Sequence, residues 1–182
     1  MKVLITGATG FIGSHLAEGL HKKGYSVRCL VRRTSNLQWL NGVSIEYVYG
    51  DLFDEQILRQ AVSGVDYVYH LAGITKAKTK EEYYRGNHLA THNLLQAVLT
   101  TNPKLKRFVH VSSEAAVGPN THDKPVNEQT PFHPITTYGK SKMEAEKECF
   151  ALMDKLPITI IRPSVVYGPR DKDVFEDRKS VV

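Results

Sequence analysis

The sequence predicts an α/β fold, a doubly wound parallel sheet with strand order 3-2-1-4-5-6 and helices on both faces. Two observations point there first. Short β-branched apolar runs alternate with longer amphipathic stretches along the 182 residues, the alternation that builds parallel sheets from crossover units. Several of these runs are nearly continuous in apolar character, as expected of strands covered on both faces. A third observation is a glycine-rich turn, "TGATGFIG", between the first run and the first amphipathic stretch.

The strands are expected at 2–6 (KVLIT), 26–31 (SVRCLV), 44–48 (SIEYV), 66–71 (DYVYHL), 106–112 (KRFVHVS) and 157–161 (PITII). The helices are expected at 10–23, 54–63, 80–101 and 138–154. In the first helix Ile12, Leu16 and Leu20 recur every fourth residue and predict one buried stripe. Residues 117–137 hold four prolines and no period, and so long a loop within a compact domain is usually functional.

Gly7, Gly10 and Gly13 follow one another at intervals of three between the first strand and its helix. Gly7 is placed to take the tight turn. Gly10 leaves room for a pyrophosphate to approach the backbone, and Gly13 for close helix–strand packing. The helix N-terminus then offers free N–H groups and partial positive charge to the phosphates. The arrangement predicts a dinucleotide site on a Rossmann-type sheet. An acid at the end of the second strand usually binds the adenosine ribose in NAD-binding proteins. Here Val31 stands in its place and Arg32-Arg33 follow. A guanidinium with no competing acid favours a 2′-phosphate, so the expected cofactor is NADP, with NAD as second choice.

Composition narrows the classes. The apolar share is 41%, the charged share 24% and the net charge +5, all ordinary for a globular protein. Apart from Arg32-Arg33 and the lysines of "TKAKTK" the basic residues are scattered, which does not make a nucleic-acid footprint. The N-terminus is neither a signal peptide nor a membrane span. Cys29 and Cys149 are far apart, in no metal spacing. They read as two buried thiols of a cytoplasmic protein.

Tyr138 and Lys142 are four residues apart on an expected helix, hence on one face. A nearby ammonium favours the phenolate, so a tyrosine there can exchange a proton with a carbonyl or alcohol. The serines of "VHVSSEAAVG" close the fifth strand, at the sheet edge where such folds bind ligands.

Taken in order, these stretches resemble the extended branch of the short-chain dehydrogenase/reductase superfamily. That branch includes nucleotide-sugar epimerases and dehydratases and dihydroflavonol-reductase-like enzymes, and the resemblance runs from residue 1 to about 170. "TGATGFIG" is similar to the branch's cofactor signature and implicates Thr9, Phe11 and Ile12 beside the glycines. "GDL" resembles its adenine-contact motif, implicating Asp51 and Leu52. "HLAG" resembles the stretch lining the cofactor after the fourth strand, implicating Leu71, Ala72 and Gly73. "GNHLATHNLL" carries over Asn87. The family's S-x-x-x-x-G spacing, counted back from Gly118, selects Ser113 over Ser112 as the catalytic serine, and its YxxxK matches Tyr138 and Lys142. "IRPSVVYGP" implicates Pro163 and, less directly, Arg162 beside the nicotinamide. The resemblance implies that Tyr138 is the acid/base, that Ser113 polarises the carbonyl, and that Lys142 lowers the tyrosine pKa and binds the nicotinamide ribose.

The implied protein is an NADP-preferring reductase or dehydrogenase acting on a small carbonyl/hydroxyl compound. The alternatives are a nucleotide-sugar epimerase or dehydratase without net cofactor use, and a non-catalytic dinucleotide sensor. Members of the branch continue well beyond Val182. Residues 1–170 are therefore expected to form the dinucleotide-binding domain, and 171–182 a charged tail starting a missing or truncated substrate lobe. A homo-oligomer is a further possibility from the apolar surface such a lobe covers. His88 and His92 share a helix face, but no carboxylate follows in HExxH fashion, so no metal is expected.

Overall fold

The computed structural model describes residues 1–120 and 125–171. The charged tail beyond Asp171 lies outside the described residues, as do four residues of the proline-rich loop. Six strands form one parallel sheet: β1 Lys2–Thr6, β2 Ser26–Val31, β3 Ile45–Tyr49, β4 Tyr67–His70, β5 Arg107–Val111 and β6 Ile158–Ile161, in order β3-β2-β1-β4-β5-β6. The order expected from sequence is the order found. It reverses between β1 and β4, so their ends open a crevice at the carboxyl edge, where doubly wound sheets take ligands.

The helices are α1 Phe11–Lys22, α2 Glu55–Val62, α3 Lys80–Tyr83, α4 Ala90–Thr101 and α5 Thr137–Phe150. Their starts follow local chemistry. Asp54 caps α2 by accepting from Ile57 N at 3.1 Å, and Thr136 caps α5 by accepting from Gly139 N at 2.9 Å. Thr79 and Glu82 close a reciprocal capping box on α3. α1 begins at Gly10 with no side-chain cap, which leaves its first N–H groups for a ligand.

Two cores cover the sheet. α2, α4 and α5 enclose one, in which Leu4, Leu58, Leu94, Leu95 and Phe108 are fully or almost fully buried. α1 covers the other face, over Val3, Ile5 and Cys29. The expected α1 stripe needs correction: the residues it buries are Gly13, Ser14, Ala17 and Leu20, while Ile12 is 39% exposed and Leu16 only half-buried. Small residues let the helix lie close on the sheet, and Ile12 is turned instead toward the carboxyl-edge crevice.

The helix expected over 80–101 is interrupted. Between α3 and α4 the turn Tyr84–Leu89 is π-helical. Such a bulge carries one residue more than an α turn, and these bulges recur at functional sites; here it delivers Asn87 to the interior.

Candidate functional site

The crevice divides into two adjoining clefts. The smaller, about 340 Å³, is lined by Gly7, Thr9, Gly10, Arg32, Asp51, Leu52, Leu71, Ala72 and Gly73 among others. The larger, about 700 Å³, is lined by Gly7, Gly10, Phe11, Ile12, Gly13, Leu71, Gly73, Asn87, Ser113, Tyr138, Lys142 and Pro163. Apart from Arg162, every site residue selected from the sequence therefore borders one cleft or both. Gly7, Gly10, Leu71 and Gly73 border both, which makes the two clefts one continuous trough.

The glycines explain how the trough stays open. Gly7 has φ +75, and a Cβ there would meet Ala72 N at 2.6 Å; only glycine avoids both penalties. A Cβ on Gly13 would collide with the Gly7 carbonyl and with Ala8 Cα, the latter at 2.8 Å. Gly13 thus clears the turn's own backbone rather than the strand. A Cβ on Gly73 would reach Asn87 Oδ1 at 2.9 Å.

The trough's floor is a directed hydrogen-bond chain. Ala72 N–H donates to Thr6 Oγ1 at 3.3 Å, and Thr6 is bonded to His70 Nδ1 at 2.7 Å. His70 Nε2 meets Thr91 Oγ1 at 3.0 Å, and Thr91 donates to the Asn87 carbonyl at 2.7 Å. Because the Thr91 hydroxyl hydrogen is spent on Asn87, His70 donates through Nε2, and with the ring kept neutral by burial its Nδ1 is left to accept from the Thr6 hydroxyl. Burial, with Lys142 adding to it, holds its pKa down at about 3. Asn87 uses its amide fully: Oδ1 accepts from Ile74 N at 2.8 Å, while Nδ2 donates to Ile74 O at 3.0 Å and to Ser141 Oγ at 2.9 Å. Ser141 passes on to the Tyr138 carbonyl at 2.7 Å. Thr6, His70 and Thr91 carry no spacing signal, and sequence reading did not select them.

Ser113, Tyr138 and Lys142 come together from β5 and α5. A short 3₁₀ turn, Glu114–Ala116, follows Ser113, whose Oγ accepts from Ala115 N at 3.2 Å. A Cβ at Gly139 would strike the Ala115 carbonyl, so glycine beside Tyr138 is what lets α5 approach this turn. The Ser113 hydroxyl faces Tyr138 closely enough to pull the phenol's pKa down. Ser112, next in sequence, is buried, and its Oγ has no partner among the described residues.

The electrostatics differ from expectation. Burial pushes the Tyr138 phenol above its ordinary value; the Ser113 hydroxyl lowers it and Tyr83 raises it further. Lys142 does not lower it here, because its ammonium is turned to the Val111 carbonyl at 2.8 Å. Burial brings the Lys142 pKa down to about 8, against an opposing pull from Glu146. Arg162 also departs from expectation. It faces away from the larger cleft and makes a bidentate pair with Glu146, Nε–Oε1 3.0 Å and Nη2–Oε2 2.7 Å.

At the second-strand end Val31 is buried and Arg32 exposed, with Arg32 N bonded to Ser35 Oγ at 3.1 Å. Arg33 instead lies over the Tyr49 ring at 6.0 Å. Asp51 Oδ1 accepts from Phe53 N at 2.7 Å, fixing the turn after β3. The single tryptophan, Trp39, also lines the larger cleft; it stands in a short 3₁₀ turn with no motif to announce it.

His88 and His92 are both spent on Glu148 of α5, each at 2.8 Å. Among the described residues no group of three or more His, Cys, Asp or Glu could hold a metal ion, and no helix is long and apolar enough to cross a membrane.

A glycine turn at the switch point of a 3-2-1-4-5-6 sheet, with a hydroxyl pair and a buried lysine along the same trough, defines a dinucleotide-binding α/β protein. More particularly, the chain belongs to the NAD dependent epimerase/dehydratase family, whose model matches residues 3–181. It is 34% identical over 176 residues to sterol demethylase protein B of Methylococcus capsulatus, covering 94% of this chain and 53% of that protein. It is 36% identical over 173 residues to a putative dihydroflavonol 4-reductase of Synechocystis, covering 92% of this chain and 50% of that one. Among solved structures it matches UDP-glucuronic acid 4-epimerase from Bacillus cereus in complex with NAD. The TM-score there is 0.79 at 33% identity, covering 94% of this chain and 59% of that one. The chain spans about half the length of the curated relatives it matches.

Proposed function

We propose that residues 1–170 are the dinucleotide-binding domain of an NAD(P)-dependent oxidoreductase of the extended short-chain dehydrogenase/reductase type, acting on a carbonyl/hydroxyl pair and preferring NADP(H). The observation that carries this reading is the Ser113–Tyr138 hydroxyl pair facing the same trough as the glycine turn. The residues present fit a dinucleotide, because Gly7, Gly10 and Gly73 keep clear a cradle that side chains would fill. When bound, the dinucleotide supplies or accepts the hydride.

The chain's own residues do the rest. The uncapped start of α1 takes the pyrophosphate. Asp51 and Leu52 border the adenine end. Arg32, whose guanidinium has no ion pair among the described residues, takes a 2′-phosphate. Ser113 donates to the substrate oxygen, and Tyr138 gives or accepts that oxygen's proton. Lys142 holds the nicotinamide ribose. Two buried, unpaired thiols, Cys29 and Cys149, suit a cytoplasmic setting. Apolar residues exposed beside the site, Val165 and Tyr167 among them, suit self-association.

Titration with NADPH and NADH tests the cofactor choice. A charge-assisted phosphate contact of about 1.5–3 kcal/mol predicts a tenfold or greater preference for NADPH, lost in Arg32→Ala. Equal affinities for the two in the intact protein reject it. The second reading, epimerisation or dehydration, is favoured by similarity to the Bacillus cereus epimerase and to the dTDP-D-glucose 4,6-dehydratase of Dictyostelium discoideum. Net NADPH consumption with a carbonyl compound supports reduction, and sugar isomerisation without net absorbance change supports the second reading.

A further inference from the structure

Glu146 lies one helical turn beyond Lys142 on α5 and is fully buried. A carboxylate is kept charged in such a place only by close partners. Arg162, at the end of β6, provides a two-pronged contact, and its guanidinium rests over the Phe132 ring at 5.2 Å. The pair joins the helix of Tyr138 and Lys142 to the strand leading into Pro163, whose carbonyl accepts from Glu114 N at 3.0 Å.

The groups around Lys142 leave Glu146 with a particular task. On α5 the titratable neighbours are Tyr138, Glu146 and Cys149, whose thiol burial pushes up to about 12. From β4 and β5 come His70 and His110, both kept neutral by burial. From the end of β6 comes Arg162, already committed to Glu146. At neutral pH the thiol, the phenol and both imidazoles carry no charge, which leaves the Glu146 carboxylate, held by Arg162, as the group of this set that opposes the burial of Lys142.

We propose that Glu146 is a positioning residue for the acid/base site: its carboxylate, oriented by Arg162, keeps the buried Lys142 ammonium charged beside the trough. The inference rests on the reading that Lys142 faces a bound dinucleotide. A lysine in this setting holds its proton against burial, which brings its pKa to about 8. Removing the opposing negative charge lets the proton leave at lower pH.

The experiment uses Trp39, the single tryptophan, as a fluorescence reporter of NADPH binding between about pH 6 and pH 10, the span over which a shifted lysine titrates. The wild type is expected to bind well at the acid end and to weaken as pH rises through about 8. In Glu146→Gln that weakening moves to lower pH by about one unit or more, with affinity at the acid end unchanged. Glu146→Asp, which keeps the charge, holds the wild-type profile. Glu146→Gln leaves the half-buried Arg162 without its carboxylate partner; if it does not fold, the double variant Glu146→Gln/Arg162→Met decides, and the same displacement is expected there. A folded variant with an unmoved pH profile overturns the proposal. A wild type that binds no NADPH at any pH is a different result: it removes the dinucleotide reading and this inference with it.

Discussion

Tyr138 stands under opposed influences, and their sum sets the direction in which its chemistry runs most easily. Burial and the neighbouring Tyr83 raise its pKa, and the Ser113 hydroxyl lowers it by less. The phenol is therefore protonated at neutral pH and disposed to donate, which suits carbonyl reduction. In the oxidative direction the proton must first leave, so at saturating cofactor the rate with NADP⁺ and an alcohol should climb with pH above neutrality while reduction stays level until the phenol itself titrates. Paired pH–rate profiles check this, and parallel profiles would contradict it. Tyr138→Phe keeps the ring and removes the hydroxyl; turnover should fall by about 10²-fold or more, with NADPH affinity changed only a few-fold. The pair Tyr138 and Lys142 stood out by spacing, whereas Ser113 was selected over Ser112 only by the resemblance to the family's S-x-x-x-x-G pattern. The direction of the tyrosine shift was not, because spacing places two groups on one helix face without saying how deeply they sink or where an ammonium turns. Glu146 stands at the next helical interval on that face, but sequence reading did not select it. What hid its part is Arg162, which joins it from a different strand.

The elements that shape the trough are the turn Gly7–Gly13 and the π-helical turn Tyr84–Leu89. All six strands were readable within a residue or two, because buried parallel strands are short apolar runs with sharp ends. The π turn was not readable: a single extra residue leaves the apolar period of the flanking helices nearly intact. The stripe on α1 was misread because three aliphatic residues outweigh glycine and alanine in any count of apolar character. Yet the turn's close backbone approaches, at Gly7 and Gly13, draw the small face onto the sheet. Asn87 shows what the π turn achieves. Asn87→Ala removes three side-chain hydrogen bonds and leaves both polar groups of Ile74 unpaired beside the trough. The expected loss is about 2–4 kcal/mol of stability, with weaker NADPH binding because Gly73 and Ile74 lose their tether. Denaturant unfolding and fluorescence titration on one preparation check both. Full stability in Asn87→Ala would mean that the turn is held by packing alone.

Across the whole molecule, the buried imidazoles of His70 and His110 decide how the fold meets acid. They face one another across β4 and β5 with ring centroids 5.5 Å apart. Burial holds His70 at about 3 and His110 well below its ordinary value of 6.5. An unfolded chain protonates both near their ordinary pKa. Below about pH 6.5 the unfolded state therefore binds more protons than the native one, and stability falls as pH falls. Glu18, held down at about 2 by Lys22 and Arg170, changes stability in the same direction, but only below the ordinary carboxylate range, and so exposed a pair contributes little. The first loss on acidification should thus begin near pH 6.5, before the carboxylates titrate, as a falling unfolding free energy between about pH 7 and pH 5. His70 is bonded at both nitrogens, whereas neither nitrogen of His110 has a partner among the described residues. His110→Phe keeps a flat ring in the same place and removes two unpaired polar atoms. It should stabilise the protein by about 1–2 kcal/mol at neutral pH and make the slope between pH 7 and pH 5 shallower by one of its two contributors. A destabilised variant with an unchanged slope would show that His110 is satisfied and silent in this range, and that the acid sensitivity lies elsewhere.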